Sequence, residues 1–217
     1  MVSVFIADDH AIVRDGLRML LEAQDDIEVV GMASDGLQAV KSIESLKPDV
    51  VLMDISMPKL NGIEAAQQIA MACRNTRIIF LSMHDGSEYI SRAVKAGAQG
   101  YLLKESAGQE VIKAVRQVHS GIRYFSQRVS NDLIDFYAKD NPAKNNHPSL
   151  DQLSFRERET LQLVVEGKSS AEIGEILYLS PKTIETYRSR IMEKLNIHDI
   201  PGLVKFAIKK GMTTIDC

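Results

Sequence analysis

The chain has no tryptophan, two cysteines and six prolines in 217 residues, and only 6% of it is aromatic. Cys73 and Cys217 are too few for a disulfide framework and fit a reducing compartment. Cys73 reads as a helix-face residue rather than a reactive thiol. No apolar run approaches the roughly 18 residues that a membrane span requires. The start, MVSVFIADDH, reaches two aspartates too soon for a signal peptide with a basic leader. A cytoplasmic chain without membrane association is therefore expected. Charge of one sign is also lacking. The net charge is −3, with 16 acids and 13 bases in residues 1–125 and 10 of each in residues 150–217. Coating of nucleic acid by bulk basicity is excluded, so any such contact must come from a local cluster.

What is present is an alternation. Strand-like apolar runs at Val2–Ala7, Glu28–Ala33, Asp49–Asp54, Arg77–Ser82 and Gln99–Leu103 are separated by stretches with helical spacing. Val13, Leu17, Leu20 and Leu21 form one such stretch, and Leu37, Val40, Ile43 and Leu46 another. VVLMD and IIFLS are apolar without alternation, as in strands covered on both faces. Five strands alternating with five helices predict a doubly wound parallel sheet, whose ligand crevice lies at the carboxyl ends of its strands. After Gly121, Val129, Leu133, Ile134, Phe136 and Tyr137 suggest one short amphipathic helix. Lys139–Ser149 then offers turn formers and little to bury, which marks a linker. From Leu150 onward four helices are predicted, at about 154–166, 169–177, 181–195 and 200–210. Ser154 with Glu157 and Ser169 with Glu172 fit capping boxes, Ser180–Pro181 a cap with proline in the first turn, and Asp199 a fourth cap.

In such a sheet Asp8, Asp9 and Asp54 converge at one edge. Two such charges about 4 Å apart repel by roughly 4 kcal/mol at an effective dielectric near 20. A hard divalent cation offsets this, and Mg²⁺ favours a few carboxylates, water and phosphate oxygens. Ser82 and Lys104 end the fourth and fifth strands and bring a hydroxyl and an ammonium to the same edge. His10 reads as an exposed first-turn residue rather than a metal ligand.

These residues carry a resemblance to a known family. The first 120 residues resemble a receiver domain of the flavodoxin-like type: the Asp8–Asp9 pair, D-x-x-M-P-x-x-x-G from Asp54 through Pro58 to Gly62, Ser82, and G-Y-L-L-K ending in Lys104. The resemblance implies that Asp54 accepts a phosphoryl group from a phosphohistidine on a sensor histidine kinase. It implies that Asp9, Asp54 and the backbone carbonyl of Ser56 hold Mg²⁺, with Asp8 acting mainly through water. Lys104 is then the counter-ion of the phosphoryl group, Ser82 swings to bind it, and Tyr101 turns inward behind Ser82. Ser56 and His84 stand where this family sets the lifetime of the phosphorylated state, with small Ser56 admitting water and His84 shielding. Glu105 follows the lysine where proline is common, so a cis bond there would be a non-proline case.

Residues 169–195 have the spacing of a helix-turn-helix, with a turn at Tyr178–Ser180 and the second helix free to enter a major groove. Ile173, Ile176, Leu177, Ile184, Ile191 and Leu195 are its expected core. Lys182, Thr183, Glu185, Thr186, Arg188, Ser189 and Arg190 are left for other faces. Lys182, Arg188, Arg190 and Lys194 against Glu185 and Glu193 give this helix a net charge of +2, the local cluster that the domain-wide count requires.

Residues 150–211 resemble the LuxR-type output domain: L-S-F-R-E-R-E, E-G-K-S-S-A-E-I, and L-S-P-K-T-I-E-T-Y-R-S-R-I-M-E-K-L. Joined to a receiver, the chain resembles the NarL/FixJ subfamily of response regulators. That implies base-edge contacts from Glu185, Thr186 and Ser189, phosphate contacts from Lys182, Arg188 and Arg190, and a DNA-bound homodimer through the last helix at paired half-sites. Glu185 departs from the lysine common there. Either it accepts from cytosine N4 or it pairs on the helix surface with Ser189 or Arg188. Pro201–Gly202 is expected to loosen the first turn of the last helix.

The expected division is a receiver domain at 1–121, a linker at 122–149 and an output domain at 150–217. A phosphorylation-controlled transcription factor, not an enzyme, is the reading. In its resting form the receiver and linker helix are expected to shield the recognition helix or its dimer face. An aspartyl hydrolase would need a second acid two residues on, and Asp54-Ile55-Ser56 lacks it. A vestigial receiver would lack pocket residues, and none is missing. A protein-binding four-helix module remains the rival for the C-terminal part. Contact with about four phosphates per subunit would give a log–log salt slope near −7 for a dimer.

Overall fold

The computed structural model describes residues 1–83, 86–126, 129 and 149–213. They fall into two compact units, one built on an N-terminal sheet and one on C-terminal helices. His84 and the expected helix around Val129–Tyr137 lie outside the described residues, apart from Val129, which is buried.

The first unit runs β1 (Val2–Ala7), α1 (Ala11–Glu22), β2 (Ile27–Ala33), α2 (Gly36–Leu46), β3 (Val50–Asp54), α3 (Gly62–Ala72), β4 (Arg77–Ser82), α4 (Ser87–Lys95), β5 (Gly100–Leu103), α5 (Lys104–His119) and β6 (Tyr124–Phe125). The strand order is β2-β1-β3-β4-β5-β6, every pair parallel. The sheet thus has six strands where five were expected. The sixth has only two residues, too few for any periodic signal. A turn at Gly121, whose φ of 89° suits glycine, brings Tyr124 beside β5 so that its amide donates to the Gln99 carbonyl at 2.9 Å.

Because successive strand residues face opposite ways, Val4, Ile6, Val50, Leu52, Ile79, Leu81 and Leu102 point to one face. There they pack with Leu17 and Leu21 of α1 and Val111, Ala114, Val115 and Val118 of α5. Phe5, Val51, Met53, Phe80 and Tyr101 point the other way and are fully buried. Each such side chain taken from water contributes roughly 1.5–3 kcal/mol. Asp35 and Asn61 cap α2 and α3 by accepting from the amides of Gln38 and Glu64. Cys73 is buried at the end of α3.

The second unit opens with a short 3₁₀ turn (Leu150–Gln152), followed by α6 (Phe155–Val165), α7 (Ser170–Leu177), α8 (Pro181–Leu195) and α9 (Ile200–Lys209). Both expected capping boxes form, at Ser154 with Glu157 and at Ser169 with Glu172. Ser180 accepts from the Thr183 amide and Asp199 from the Gly202 amide. Ile173, Leu177, Ile184, Ile191 and Leu195 are buried in one core with Leu161, Leu163, Leu203 and Phe206, and Ile176 packs on it partly exposed. Pro201–Gly202 does not slacken α9. A Cβ on Gly202 would lie 2.7 Å from Ile197 and 2.9 Å from the Asp199 carboxylate, so glycine lets the cap close tightly.

Candidate functional site

The register places the acidic pocket. Ala7 of β1 is level with Met53 of β3, so Asp8 and Asp54, one residue further on, end side by side. Asp54 is level with Leu81 and Ser82 with Leu103, so Ser82 and Lys104 follow along the same carboxyl edge. Asp8, Asp54 and Ser82 are all at most 2% exposed. The Lys104 ammonium sits between the two carboxylates, 2.8 Å from Asp8 Oδ2 and 2.9 Å from Asp54 Oδ2.

One ammonium does not balance the cluster. Burial, then the neighbouring Asp8 charge, pushes the Asp54 carboxyl up to about 7 against the pull of Lys104. Burial works against the Lys104 ammonium, but Asp54 and Asp8 outweigh it and hold its pKa above the ordinary lysine value. Asp8, Asp9, His10 and Asp54 each present a ligand atom, all within 4.8 Å of one another. The three carboxylates form a hard oxygen donor set that fits Mg²⁺.

Gly62 holds the acceptor strand from behind. Its amide donates to the Ile55 carbonyl at 2.9 Å, and a Cβ there would meet the Asp54 carbonyl oxygen at 1.9 Å. The Ser56 amide lies 3.3 Å from Asp54 Oδ1. Tyr101 is already wholly buried, on the face of the sheet shared with Phe80. The Lys104–Glu105 bond is trans, as are the other described peptide bonds, and Lys104 opens α5 directly. His10 is exposed as expected, yet its Nδ1 lies 2.6 Å from Asp9 Oδ1 and 3.3 Å from Asp8 Oδ1. Arg14 donates to the Asp8 carbonyl at 2.6 Å. Neither link has a signal in the sequence, because both depend on where the first turn of α1 points.

The receiver-domain reading is matched by comparison with known proteins: residues 4–116 match the response regulator receiver domain. The chain belongs to the response regulators. Residues 151–207 of this regulator match the bacterial regulatory proteins of the luxR family. The regulator is 38% identical over 214 residues to the oxygen regulatory protein NreC of Staphylococcus carnosus, covering 97% of this chain and 99% of that one. Among solved structures it is similar to the response regulator RcsB in its complex with DNA, at 29% identity and a TM-score of 0.58, covering 94% and 96% of the two chains. It is also similar to the response regulator ChrA of a heme-sensing two-component system, at 32% identity and a TM-score of 0.53, covering 97% and 98%. Among the described residues no helix is long and apolar enough to cross a membrane.

In the regulator's second unit, Lys182, Glu185, Thr186, Ser189 and Arg190 of α8 are exposed, while Thr183 and Arg188 are half-buried. Ser180, Lys182, Thr183, Thr186, Tyr187 and Arg190 line one shallow concavity along this helix. The expected basic cluster is smaller than the sequence count. Lys194 donates to Glu157 Oε2 at 2.7 Å, tying the end of α8 to the start of α6, so that its charge is paired although the side chain stays exposed. Burial of Glu157 opposes its ionisation, but Lys194 and the Ser154 amide and hydroxyl hold its pKa below the ordinary value. Arg188 is also engaged, donating to Ser170 Oγ at 3.0 Å, and Ser170 in turn donates to Glu185 Oε1. Glu185 thus pairs within the protein, by way of a residue on α7 that sequence spacing did not single out. Its link to Ser189 is different in kind: the Ser189 hydroxyl donates to the Glu185 backbone carbonyl at 3.1 Å.

Proposed function

We propose that this response regulator is a cytoplasmic transcription factor in which Asp54 accepts a phosphoryl group from a sensor histidine kinase and thereby changes DNA binding by the C-terminal unit. The observation that carries the reading is the Lys104 ammonium held between Asp8 and Asp54 beside two further potential ligands. In the transfer, Asp54 attacks phosphorus as the P–N bond to the kinase histidine breaks and the P–O bond to its carboxylate forms. Lys104 is already within reach of the incoming phosphoryl oxygens, and burial keeps competing water low. Ser82 supplies a hydroxyl to the same oxygens, and Tyr101 packs behind it. Asp9, Asp54 and the Ser56 carbonyl, with Asp8 through water, are the residues to hold Mg²⁺, which when bound neutralises charge between Asp54 and the phosphoryl group. Without an acid two residues after Asp54, the chain supports only its own phosphorylation and dephosphorylation, not hydrolysis of other substrates.

Lys182, Thr183, Glu185, Thr186, Arg188, Ser189 and Arg190 form the DNA-facing set, with α9 as the homodimer contact at paired half-sites. The domain division follows, with a receiver at 1–121, a linker at 122–149 and an output domain at 150–217. The test treats wild type and Asp54→Asn with acetyl phosphate and Mg²⁺, then measures mass, dimerisation and binding to a genomic DNA pool. A mass gain confined to wild type, together with altered DNA binding, is expected. No gain, or identical DNA binding with and without it, removes the reading.

A further inference from the structure

Helix α8 treats its cations unequally. Lys182 and Arg190 are exposed and form no ion pair among the described residues, whereas Arg188 is held inside the unit. Two side chains hold it. Ser170, at the first turn of α7, accepts from Arg188 Nη1 at 3.0 Å and donates its own hydroxyl to Glu185 Oε1. That same carboxylate oxygen lies 3.8 Å from Arg188 Nη1. A hydroxyl has one donor and two acceptor sites, so Ser170 can serve both partners at once. The side chain of Arg188 is 25% exposed and that of Glu185 62%, so the carboxylate is the accessible end of the chain of contacts.

We infer that Glu185 is an internal counter-anion that withholds Arg188 from DNA phosphate until a base edge takes the carboxylate. The inference rests on the reading of α8 as the DNA-facing helix. A phosphate that draws the guanidinium outward takes it from Ser170 and Glu185, and the carboxylate then lies without its counter-ion beside the polyanion. A cytosine amino group in the major groove is the donor that accepts it. Where a cytosine is within reach, Glu185 moves to its N4 and Arg188 turns to the backbone. Elsewhere the internal contacts persist and the phosphate contact is not made. One base identity is thereby linked to one phosphate contact, and random DNA is disfavoured more than the right site. Glu185 is thus a specificity-determining residue and Ser170 a positioning residue.

The test is a salt titration of full-length protein on a random-sequence duplex pool, followed by selection from that pool. Glu185→Gln keeps an acceptor for Ser170 but removes the charge. It is expected to tighten pool binding roughly fivefold per subunit, the size of one unit-charge interaction at about 4 Å in water. It also steepens the log–log salt slope by about 0.9 per subunit, one more phosphate contacted. Ser170→Ala shifts the slope in the same direction while keeping the carboxylate. In an Arg188→Ala background the slope change of Glu185→Gln vanishes. Wild type enriches a cytosine at one position of each half-site, and Glu185→Gln loses it. Unchanged slopes, a slope change that survives Arg188→Ala, or no cytosine lost would each overturn the inference while leaving DNA binding in place. Absence of any salt-dependent binding by wild type would remove the DNA-facing reading itself, and this inference with it.

Discussion

Replacing Gly62 by alanine adds one methyl group at the back of the acceptor strand, and its effect can be worked out from the contacts. The new Cβ would stand 1.9 Å from the Asp54 carbonyl oxygen, 2.9 Å from its carbon and 3.0 Å from Met53 Cγ. Against an ordinary contact of 3.4 Å or more, the backbone must part by about 1.5 Å. The Gly62 amide meanwhile binds the Ile55 carbonyl at 2.9 Å, so the two segments cannot separate without losing that bond. Overpacking of this kind costs about 1–3 kcal/mol, set against roughly 0.5–1 kcal/mol gained by removing a helical glycine. The chemical effect exceeds the stability effect. A displacement of about 1 Å at a reacting group lowers rate by roughly 100-fold. Gly108 is the control. It lies inside α5 with nothing within 4 Å of its would-be Cβ, so Gly108→Ala should stabilise with phosphorylation unchanged. Urea midpoints at constant slope report stability, and mass spectrometry with acetyl phosphate and Mg²⁺ reports the rate. If Gly62→Ala matches Gly108→Ala in both, the steric argument about the acceptor strand is wrong.

Three further outcomes follow from the charges. In EDTA, the raised Asp54 carboxyl stabilises least when ionised, so wild-type stability should fall as pH rises from about 4 towards 7 and level off above it, whereas Asp54→Asn should be flatter and, at pH 8, more stable by about 1–3 kcal/mol; a less stable Asp54→Asn at pH 8 refutes this balance. Glu157 has the opposite sign: its lowered pKa contributes stability above the ordinary value of 4.5 that is lost as pH falls below it. Lys194→Met should remove much of that acid sensitivity and cost about 1 kcal/mol near neutrality, because the lysine is 42% exposed and partly screened; thermal unfolding across pH 3–7 (on the order of one scan per half unit) checks it. Finally, with Lys194 and Arg188 engaged internally, about two cations per subunit remain for phosphate. The wild-type dimer on random DNA should therefore show a log–log salt slope nearer −4 than the −7 expected if all four cations of the helix met phosphate. A slope of −7 by fluorescence anisotropy would mean that both pairs open on DNA.

Sequence by itself determined the five longer strands of the sheet, the caps and the identity of the pocket residues, because each is encoded locally. The runs Val2–Ala7 and Arg77–Ser82 coincide with β1 and β4, since short apolar runs rich in β-branched and aromatic residues have no competing helical pattern. Ser154, Ser169, Ser180 and Asp199 cap the four helices they were expected to cap, since a cap depends on residues three apart in the chain. Strand ends then brought Asp8, Asp54, Ser82 and Lys104 to one edge, as parallel pairing requires. Tertiary structure decided how charges far apart in the chain are paired. Nothing local links Lys194 to Glu157, 37 residues away, or Ser170 to Glu185 and Arg188. A formal count treats every cation of α8 as available to DNA. Packing of α6, α7 and α8 instead brings carboxylates and a hydroxyl against two of them, and a paired charge differs from a free one only in its surroundings.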